Sequence, residues 1–412
     1  MTLLIGTNQV LRATRKMAAV ACFDAPDGRT MVTWSHRTAS ICDSWVDDTR
    51  AALRPTQSNK FAGGVVGWLS YEAGGQVERM PSHRQPHTGM KSCLWRVEGA
   101  LHFDPTSEDW SVHGSPAFKA EAQAVLKEAA TCATEPLNPH QTKPWAPAQP
   151  TPIEQAYTAG VSHILEAIRQ GEVYQVNLAW EHTGVRIDDA IGAWLALRDQ
   201  NPAQYGAYLR HGDTEVVSNS PELFLEIDGK TGRIQSRPIK GTAPLGNESR
   251  RALESSTKER AELTMIVDLV RNDLGRVCQA GTVDAQPRTI RQCGDLWHAE
   301  QTVSATLRRD QDAVDALCAT FPPGSVTGAP KVRAMEVIHD LEPGPRGVYT
   351  GAIGWLSDNG DARFSVAIRT APVQDGRGRF HVGAGIVADS HPDKEWRETL
   401  AKAQALAHSL GA

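Results

Sequence analysis

Alternation of apolar and polar residues dominates the second half of the chain. It has a period of two in segments 173–180, 207–241, 347–373 and 379–389, which are interrupted by hairpin-turn sequences such as IDGKTG and SDNGDA. Apolar residues recur at helical spacing in TKERAELTMIVDLVRNDLGRV, GAPKVRAMEVIHDLE and HPDKEWRETLAKAQALAHSL. Because the strands come as hairpins more than as strict strand–helix–strand units, the pattern predicts an α+β fold.

A proline-rich segment divides the chain. The sequence PLNPHQTKPWAPAQPTP carries six prolines, and such a run forms neither a helix nor a central strand. A helix follows, with Thr151 as its N-cap, Pro152 at its first position and Glu154 completing a capping box. We therefore predict an N-terminal part at 1–135 that contributes to the same fold, a connector at 136–152 and a catalytic domain at 153–412.

Composition excludes several classes of protein. The 412 residues are 40% hydrophobic and 22% charged, which is typical of a soluble globular protein. The net charge of −5 gives no basic surface for nucleic acid, and no apolar run approaches the roughly 18 residues of a membrane helix. The N-terminus has no secretory signal pattern. Seven cysteines without a CxxC pair indicate reduced thiols in a cytoplasmic protein rather than a disulfide framework or a zinc site.

Two predicted helices repeat the same acidic spacing. Glu259 and Glu262 form one E-x-x-E pair, and Glu395 and Glu398 form the other. At this spacing both carboxylates of a pair lie on one helical face and repel each other. The repetition is explained if a divalent cation binds between the helices, and oxygen ligands without histidine or cysteine favour Mg²⁺. The alternative is a set of solvent-exposed glutamates, which is what most such pairs are.

A second group of residues is suited to binding an anion. Ser325, Thr327 and Gly328 lie in a loop that leads into a predicted helix at 329–330, where free backbone N–H groups face an anion. The alternative is an ordinary capped helix start. Arg369 projects from the polar face of the strand RFSVAIRT and is suited to bidentate carboxylate binding. The alternative there is a cross-strand ion pair.

Further candidates lie on other predicted strands. Gln175 occupies the polar face of VYQVNLAW, and Gly383 with Gly385 would let a ligand approach the backbone of HVGAGIV. Glu222 is a candidate general acid if its pKa is raised, and His298 is a candidate for proton transfer. A surface glutamate and a core histidine are the alternatives for these two residues.

One lysine stands in an unusual position. In RPIKGT, Lys240 lies between an isoleucine and a Gly-Thr turn, inside a strand-like segment. Most lysines are solvent-exposed, and that is the alternative here. A buried lysine next to other positive charge loses its proton more readily and becomes a nucleophile.

Many ordered motifs of the chain resemble the chorismate-utilising enzymes. They include YQVNL, SNSPELF, RPIKGT, PGSVTGAPKVRAME, RGVYTGAIGW, FSVAIRT, GAGIVADS and EWRET, and they cover about residues 151–408. The resemblance implies two packed antiparallel sheets surrounded by helices, with Mg²⁺ and chorismate bound inside. It also implies that Glu262 and Glu398 ligate the metal directly and that Glu259 and Glu395 lie close by.

The resemblance implies roles for individual residues as well. Arg369 and Tyr349 are similar to the residues that hold the enolpyruvyl carboxylate of chorismate. The ring carboxylate would contact Mg²⁺ and backbone N–H groups near Gly328 and Gly385, and His298 matches the active-site histidine of the family. Other positions implied in catalysis or substrate binding are Thr327, Ser325, Gly383, Gln175 and Lys331.

Two positions distinguish branches of this family. Isochorismate and salicylate synthases carry a water-activating lysine at the position of Gln175, and anthranilate synthases read PIAGT where this chain reads PIKGT. With a lysine at position 240, the chain therefore resembles the branch that makes 4-amino-4-deoxychorismate, the precursor of 4-aminobenzoate and folate. That resemblance implies attack by Lys240 at C2 of chorismate, Glu222 as the acid for the departing C4 hydroxyl, and ammonia displacing the lysine.

The source of ammonia is not apparent in this chain. No cysteine lies in a glutaminase elbow, so the resemblance implies a separate glutamine amidotransferase subunit. Two alternatives stay open. The first is an anthranilate synthase large subunit, and the second is a catalytically silent relative that only binds a partner subunit.

Overall fold

The molecule is described by a computed structural model that covers most of the chain. The described residues are 5–37, 40, 44–80, 90–132 and 152–410. The connector predicted at 136–152 lies outside them except for Pro152, and so does the predicted N-cap Thr151. The domain boundaries stay a prediction.

Strands come mostly in runs that helices separate along the described residues. The α-helices are α1 (Thr7–Ala13), α2 (Trp45–Ala52), α3 (Pro116–Thr131), α4 (Pro152–Arg169), α5 (Ala190–Gln200), α6 (Asn247–Ser255), α7 (Thr257–Gly275), α8 (Ala313–Thr320), α9 (Lys331–Leu341) and α10 (Pro392–Ser409). The strands are β1 (Ala19–Asp24), β2 (Thr30–Ser35), β3 (Gly64–Leu69), β4 (Cys93–Val97), β5 (Gly99–Asp104), β6 (Asp109–Gly114), β7 (Gln175–Arg186), β8 (Tyr205–His211), β9 (Thr214–Ser220), β10 (Leu223–Asp228), β11 (Arg233–Arg237), β12 (Ile239–Pro244), β13 (Asp284–Ala285), β14 (Thr289–Cys293), β15 (Leu296–Glu300), β16 (Val303–Thr306), β17 (Gly328–Ala329), β18 (Ala352–Ser357), β19 (Ala362–Val366), β20 (Thr370–Gln374) and β21 (Arg377–Ile386).

The strands form two large antiparallel sheets and one small one. The ten-stranded sheet has the order β17-β7-β21-β20-β9-β8-β1-β2-β5-β6, and the eight-stranded sheet has the order β13-β16-β11-β10-β19-β18-β3-β4. The third sheet has the order β12-β15-β14. Strands from before and after residue 152 lie in both large sheets. The predicted α+β fold with two large antiparallel sheets is confirmed, whereas the third sheet was not predicted.

One hydrophobic core joins the two large sheets face to face. Phe23 of β1 and Leu209 of β8 come from the ten-stranded sheet, and Trp68 of β3, Trp95 of β4 and Ile353 of β18 come from the eight-stranded sheet. All five belong to the same buried cluster. Burial of large apolar side chains from both sheets in one layer makes the pair a sandwich.

Helices cover the outer faces of the sandwich through two further clusters. One combines β7 and β21 with α4 and α10, where Trp180, Tyr157 and Trp396 pack together. The other combines β10, β18 and β19 with α7 and α8. Apolar residues of α7, such as Leu263 and Ile266, face this core. The packing fixes α7 and α10 in place, and these are the helices that carry the two E-x-x-E pairs.

The helix predicted from 329–330 begins later than the sequence indicated. Gly328 and Ala329 pair with Val176 and Gln175 of β7 as a two-residue strand, and α9 begins at Lys331. Sheet pairing of these residues explains the difference, because it competes with helix formation for the same backbone.

Two further properties bear on the class of protein. Within the ranges that the structure describes, no helix combines the length and apolar character needed to cross a bilayer. Six of the seven cysteines lie in these ranges, and all six are free thiols.

Candidate active site

A cavity of about 630 Å³ lies where the three sheets meet α7 and α10. Twelve of the sixteen residues singled out from the sequence line it. They are Lys240, Glu222, His298, Arg369, Tyr349, Ser325, Gly383, Gly385, Glu259, Glu262, Glu395 and Glu398. The cavity is therefore the candidate active site.

Lys240 enters this cavity from a β-bulge. Between Ile239 and Thr242, β12 has one residue more than the facing segment of β15, and the register shifts there. Lys240 and Gly241 occupy the irregularity. Bulges redirect side chains and are common beside active sites. The bulge therefore explains how the side chain of Lys240, although it lies within a strand, faces the cavity.

Gly241 is required at this bulge for two reasons. Its φ of +88° is one that residues with a side chain rarely adopt. A Cβ atom at this position would also lie 2.8 Å from Cδ1 of Leu253 and 2.9 Å from Oε2 of Glu259. The absent side chain therefore allows Glu259 to approach the backbone next to Lys240.

The amine of Lys240 lies among acceptors and charges in the wall of the cavity. Its Nζ donates a hydrogen bond to the carbonyl oxygen of Ser325 at 3.0 Å. Burial lowers the pKa of Lys240, and the carboxylates of Glu222, Glu262 and Glu259 act in the opposite direction without overcoming it. The uncharged, nucleophilic form is therefore more populated than in an exposed lysine.

Glu222 is buried beside Lys240, with 4% of its surface exposed. Burial raises the pKa of Glu222 to about 7, although hydrogen bonding by Ser325 and the positive charges of Lys240 and Arg369 oppose the rise. A carboxyl group with this pKa is substantially protonated at neutral pH, so it is able to donate a proton.

His298 lies between a hydroxyl group and a guanidinium group. Its Nδ1 is 2.9 Å from Oγ1 of Thr242, and its Nε2 is 3.4 Å from NH2 of Arg369. Arginine only donates, so Nε2 accepts and the proton of the neutral ring lies on Nδ1. Burial and the charge of Arg369 lower the pKa of His298 to about 3. The ring is uncharged and has no proton at Nε2 to donate.

Arg369 is held in an unusual backbone conformation, with a φ of +50°. It follows β19 rather than lying in it, so it does not project from a regular strand as the sequence suggested. Among the described residues, no carboxylate lies within ion-pair distance of its guanidinium, and Glu222 acts on it through its charge. A partly buried arginine without an acidic partner is suited to binding an anionic ligand.

Tyr349 faces the cavity from the loop between α9 and β18. A Cβ atom on Gly383 would lie 2.8 Å from the Tyr349 hydroxyl. The hydroxyl therefore occupies the space above Gly383 that a larger residue would fill. The glycine is accordingly needed where the sequence analysis expected close approach to the backbone.

Four glutamates from α7 and α10 line one side of the cavity. Burial and the neighbouring carboxylates of Glu259 and Glu395 raise the pKa of Glu262, so the two helices bring like charges together. A divalent cation would relieve this repulsion, and the all-oxygen donor set suits Mg²⁺. In their present positions, however, the described side chains include no group of three or more Asp, Glu, His or Cys residues that could hold a metal ion.

Two lysines engage these glutamates in the structure. Lys258 lies 3.8 Å from Glu262, and Lys402 lies 2.7 Å from Glu398, both at i,i+4 spacing. Lys402 also donates to the carbonyl oxygen of Gly383 at 3.1 Å. Burial acts to raise the pKa of Glu398, but the charge and hydrogen bond of Lys402 lower it overall. The lysines thus neutralise part of the acidic cluster.

Thr327 and Gly328 lie behind the cavity rather than in its wall. The Thr327 hydroxyl donates to the backbone carbonyls of Pro323 and Gly324, each at 3.2 Å. A Cβ atom on Gly328 would lie 2.2 Å from the carbonyl oxygen of Gln175. Both residues therefore shape the loop that carries Ser325. The geometry does not support a direct catalytic contact by the Thr327 hydroxyl, whereas the backbone contact expected near Gly328 stays a prediction.

Lys331 is also outside the cavity. Its ammonium group donates to Asp273 at 2.6 Å and to the carbonyl oxygen of Thr320 at 2.7 Å, and all three residues are buried. The lysine is engaged by this buried ion pair, which ties α9 to α7. The substrate contact implied for Lys331 is therefore not supported.

Gln175 lies just behind the cavity wall. A Cβ atom on Gly385 would lie 2.8 Å from its Nε2 and 3.6 Å from Nζ of Lys240. The residue is fully buried, and neither side-chain amide atom has a hydrogen-bond partner in the described part of the chain. Its unpartnered amide is next to Lys240 and separated from the cavity by Gly385.

Sequence reasoning missed several residues of the cavity wall, including Lys258, Lys402 and His381. The i,i+4 spacing of each lysine from a predicted metal ligand was a usable signal. His381 shares a strand face with Gly383, because alternate residues of a strand point to the same side.

Comparison with known proteins places this cavity in a family context. The family model described as chorismate binding enzyme matches residues 17–408. An aminodeoxychorismate synthase from Streptomyces griseus is 37% identical over 389 residues, which cover 89% of this chain and 53% of that protein. The chain thus spans about half the length of this relative.

Two other proteins are similar to the chain. Anthranilate synthase component 1 from Streptomyces coelicolor is 36% identical over 375 residues, covering 84% of this chain and 72% of that protein. The crystal structure of anthranilate synthase component I from Streptococcus pneumoniae TIGR4 superposes with a TM-score of 0.79 at 27% identity, covering 94% of this chain and 90% of that one. These identities do not distinguish the two reactions.

We expect Gly241→Ala to impair the site more than an equally strained substitution elsewhere. Gly232, in the turn between β10 and β11, has a φ of +71°, and a Cβ atom added there would have no neighbour closer than 4.0 Å. Gly232→Ala is therefore the matched control. Both variants lose about 1–2 kcal/mol from backbone strain. Only Gly241→Ala also displaces Glu259, which we expect to lower kcat/KM for chorismate about tenfold or more. Equal effects of the two variants on kcat/KM would contradict this.

The raised pKa of Glu222 predicts a pH-dependent stability. Below pH 4.5, the pKa of the carboxyl in the unfolded protein, Glu222 is protonated in both the folded and the unfolded protein. Above that pH the unfolded protein releases the proton, whereas the folded protein retains it until about pH 7. The free energy of unfolding of the wild type, relative to Glu222→Gln, should fall by up to about 3 kcal/mol between these pH values. Urea titrations would measure it, with exposed Glu248→Gln as the control. A flat difference across this range would contradict the burial effect.

Proposed function

The chain belongs to the chorismate binding enzyme family, and from this premise we propose that it acts as an aminodeoxychorismate synthase component I. In this reaction chorismate and ammonia give 4-amino-4-deoxychorismate, and the enolpyruvyl group is retained. The observation that carries the proposal is the buried amine of Lys240, which lies on a bulge beside the protonatable Glu222.

Lys240 is the nucleophile in this proposal. Its uncharged amine attacks C2 of the ring, both ring double bonds shift toward C4, and the bond from C4 to its hydroxyl breaks. Glu222 gives its proton to the departing hydroxyl, which leaves as water. Covalent catalysis of this kind divides one difficult displacement into two easier steps.

Ammonia completes the reaction in a second step. It attacks C4, both ring double bonds shift back, the bond between C2 and Lys240 breaks, and the new ammonium group at C4 returns a proton to Glu222. The amine of Lys240 thereby returns to its starting state. Both steps leave the enolpyruvyl side chain in place, so the product differs from chorismate by an amino group in place of the C4 hydroxyl.

Arg369 and Tyr349 are the residues we propose for the enolpyruvyl carboxylate. The guanidinium of Arg369 has no acidic partner among the described residues, and the Tyr349 hydroxyl faces the cavity above Gly383. His298 hydrogen-bonds Arg369 through Nε2 and so orients the guanidinium. We therefore assign His298 to holding Arg369 rather than to proton transfer.

Mg²⁺ is the cofactor we propose for the acidic side of the cavity. Glu262 and Glu398 would hold it, with Glu259 and Glu395 next to them. When bound, it would neutralise the ring carboxylate of chorismate. Lys258 and Lys402, which engage two of these glutamates, would then be free to contact the substrate.

The ammonia donor we propose is a glutamine amidotransferase subunit. This step rests on the need for ammonia in the reaction. Anthranilate synthase component I is the second candidate function, because a relative of that name is 36% identical. Lys240 is the residue that favours C4 amination, since a nucleophilic lysine has no place in a direct attack of ammonia at C2.

The proposal predicts the product of a simple assay. Protein incubated with chorismate, MgCl₂ and ammonium chloride should form 4-amino-4-deoxychorismate, detected as 4-aminobenzoate after an aminodeoxychorismate lyase is added. Lys240→Ala should lose this product while still binding chorismate, because only the nucleophile is removed. Lys230→Ala, in an exposed turn, should behave like the wild type.

Direct release of anthranilate by the wild type would contradict the branch assignment. Full activity of Lys240→Ala with 4-amino-4-deoxychorismate as product would instead keep the branch and reject the covalent step. The two outcomes are told apart by liquid chromatography of the same reaction mixtures.

A further inference from the structure

Tyr349 and His381 form a wall between two cavities. Their rings are stacked, with centroids 5.3 Å apart and an angle of 14° between the ring planes. Both residues line the catalytic cavity and also a second cavity of about 290 Å³. Of the described residues, these two alone line both cavities, so the stacked rings divide one space from the other.

The second cavity gives Tyr349 room to move. It is bounded by the loop between α9 and β18, which carries Tyr349, and by parts of β7, β20 and β21. A buried side chain normally keeps its rotamer because neighbouring atoms fill the space around it. Here open volume adjoins the Tyr349 ring, so the orientation of the ring depends on the contacts it does make.

The Tyr349 hydroxyl forms a hydrogen bond with the side chain of Asn177, and two further contacts hold the Tyr349 ring. The guanidinium of Arg346 lies 5.7 Å from its centroid, and the imidazole of His381 is stacked on it. Arg346 is itself fixed by hydrogen bonds to Glu342 and to the carbonyl oxygen of Asn177. These hydrogen bonds fix the position of Arg346 independently of Tyr349. His381 is the contact that packs its ring face to face with the ring of Tyr349.

His381 is free of competing polar contacts. In the part of the chain that the structure describes, no hydrogen bond is made by either ring nitrogen, in contrast to the paired His298. Burial and the charges of Arg346 and Arg379 lower the pKa of His381 to about 3. An uncharged imidazole stacks on a phenol ring as an aromatic group does.

Strand β21 supplies both the support for the ring and the space for its hydroxyl. His381 and Gly383 are alternate residues of this strand and share one face. The hydroxyl of Tyr349 lies above Gly383, where a Cβ atom would be only 2.8 Å away. Two residues on one face of β21 therefore contact Tyr349. His381 stacks on its ring, and Gly383 leaves space for its hydroxyl in the catalytic cavity.

We propose that His381 is a positioning residue, which holds the Tyr349 ring against the second cavity so that its hydroxyl stays directed at the substrate in the catalytic cavity. This inference rests on the proposed role of Tyr349 in binding chorismate. It assigns His381 no contact with the reacting atoms.

The test is a double-mutant cycle measured as KM and kcat for chorismate. His381→Ala removes the stack, and we expect KM to rise roughly 3- to 10-fold, the fold-change that an aromatic pair is worth, while kcat changes less. His381→Phe keeps a stacking ring and should restore KM to near the wild-type value. In a Tyr349→Phe background, where the hydroxyl is already absent, His381→Ala should have little further effect on KM.

The chain offers a matched control on the neighbouring strand. His182 of β7 stacks on Phe380 with centroids 4.8 Å apart and an angle of 4°, and it lines neither cavity. His182→Ala should leave KM unchanged even if it lowers the melting temperature. Melting curves of all variants separate a loss of folding from a loss of substrate binding.

Three results would overturn the proposal. They are an unchanged KM in His381→Ala, a failure of His381→Phe to restore KM, and an equal rise in KM when His381→Ala is added to Tyr349→Phe. Failure of the proposed function is distinguished from these, because it is read from the product of the wild type. The KM cycle applies whichever product the enzyme forms from chorismate.

Discussion

The structure depends on the burial of one amine among carboxylates. Lys240 extends from a bulge into a cavity whose other groups include Glu222 and the glutamates of α7 and α10. In water these charges would pair and remain ionised, but burial lowers the pKa of Lys240 and raises the pKa of Glu222. Desolvation thus drives the amine and the acid toward their uncharged forms, in which they are able to react.

The fold produces this environment by bringing three sheets to one place. The two large sheets pack through a common core, and helices on their outer faces fix α7 and α10. The small sheet then closes the cavity with β12 and β15, which carry Lys240 and His298. Paired strands therefore carry Lys240 and His298, and packed helices carry the four glutamates, which holds charged groups in an arrangement that they would avoid in solution.

Much of the fold was predictable because its signals are local. Alternation and turn residues indicated the antiparallel hairpins, and the repeated E-x-x-E spacing indicated two acidic helices that the structure brings to one cavity. The third sheet and its bulge could not be predicted, since they depend on the pairing of strands about 55 residues apart, such as Thr242 with His298. The ion pair of Lys331 could not be predicted for a similar reason, because its partner Asp273 is distant in sequence. The stack of His381 on Tyr349 likewise joins residues from different elements.

The central claim is that the amine of Lys240 loses its proton more easily than an ordinary lysine. It is tested most directly by labelling the protein with [ε-¹³C]lysine and following the NMR signals with pH, with Lys240→Ala used to assign the signal. The account predicts that the signal absent from Lys240→Ala titrates below the ordinary lysine value of about 10.4. Titration of that signal at or above the pH of the surface lysines would contradict the account.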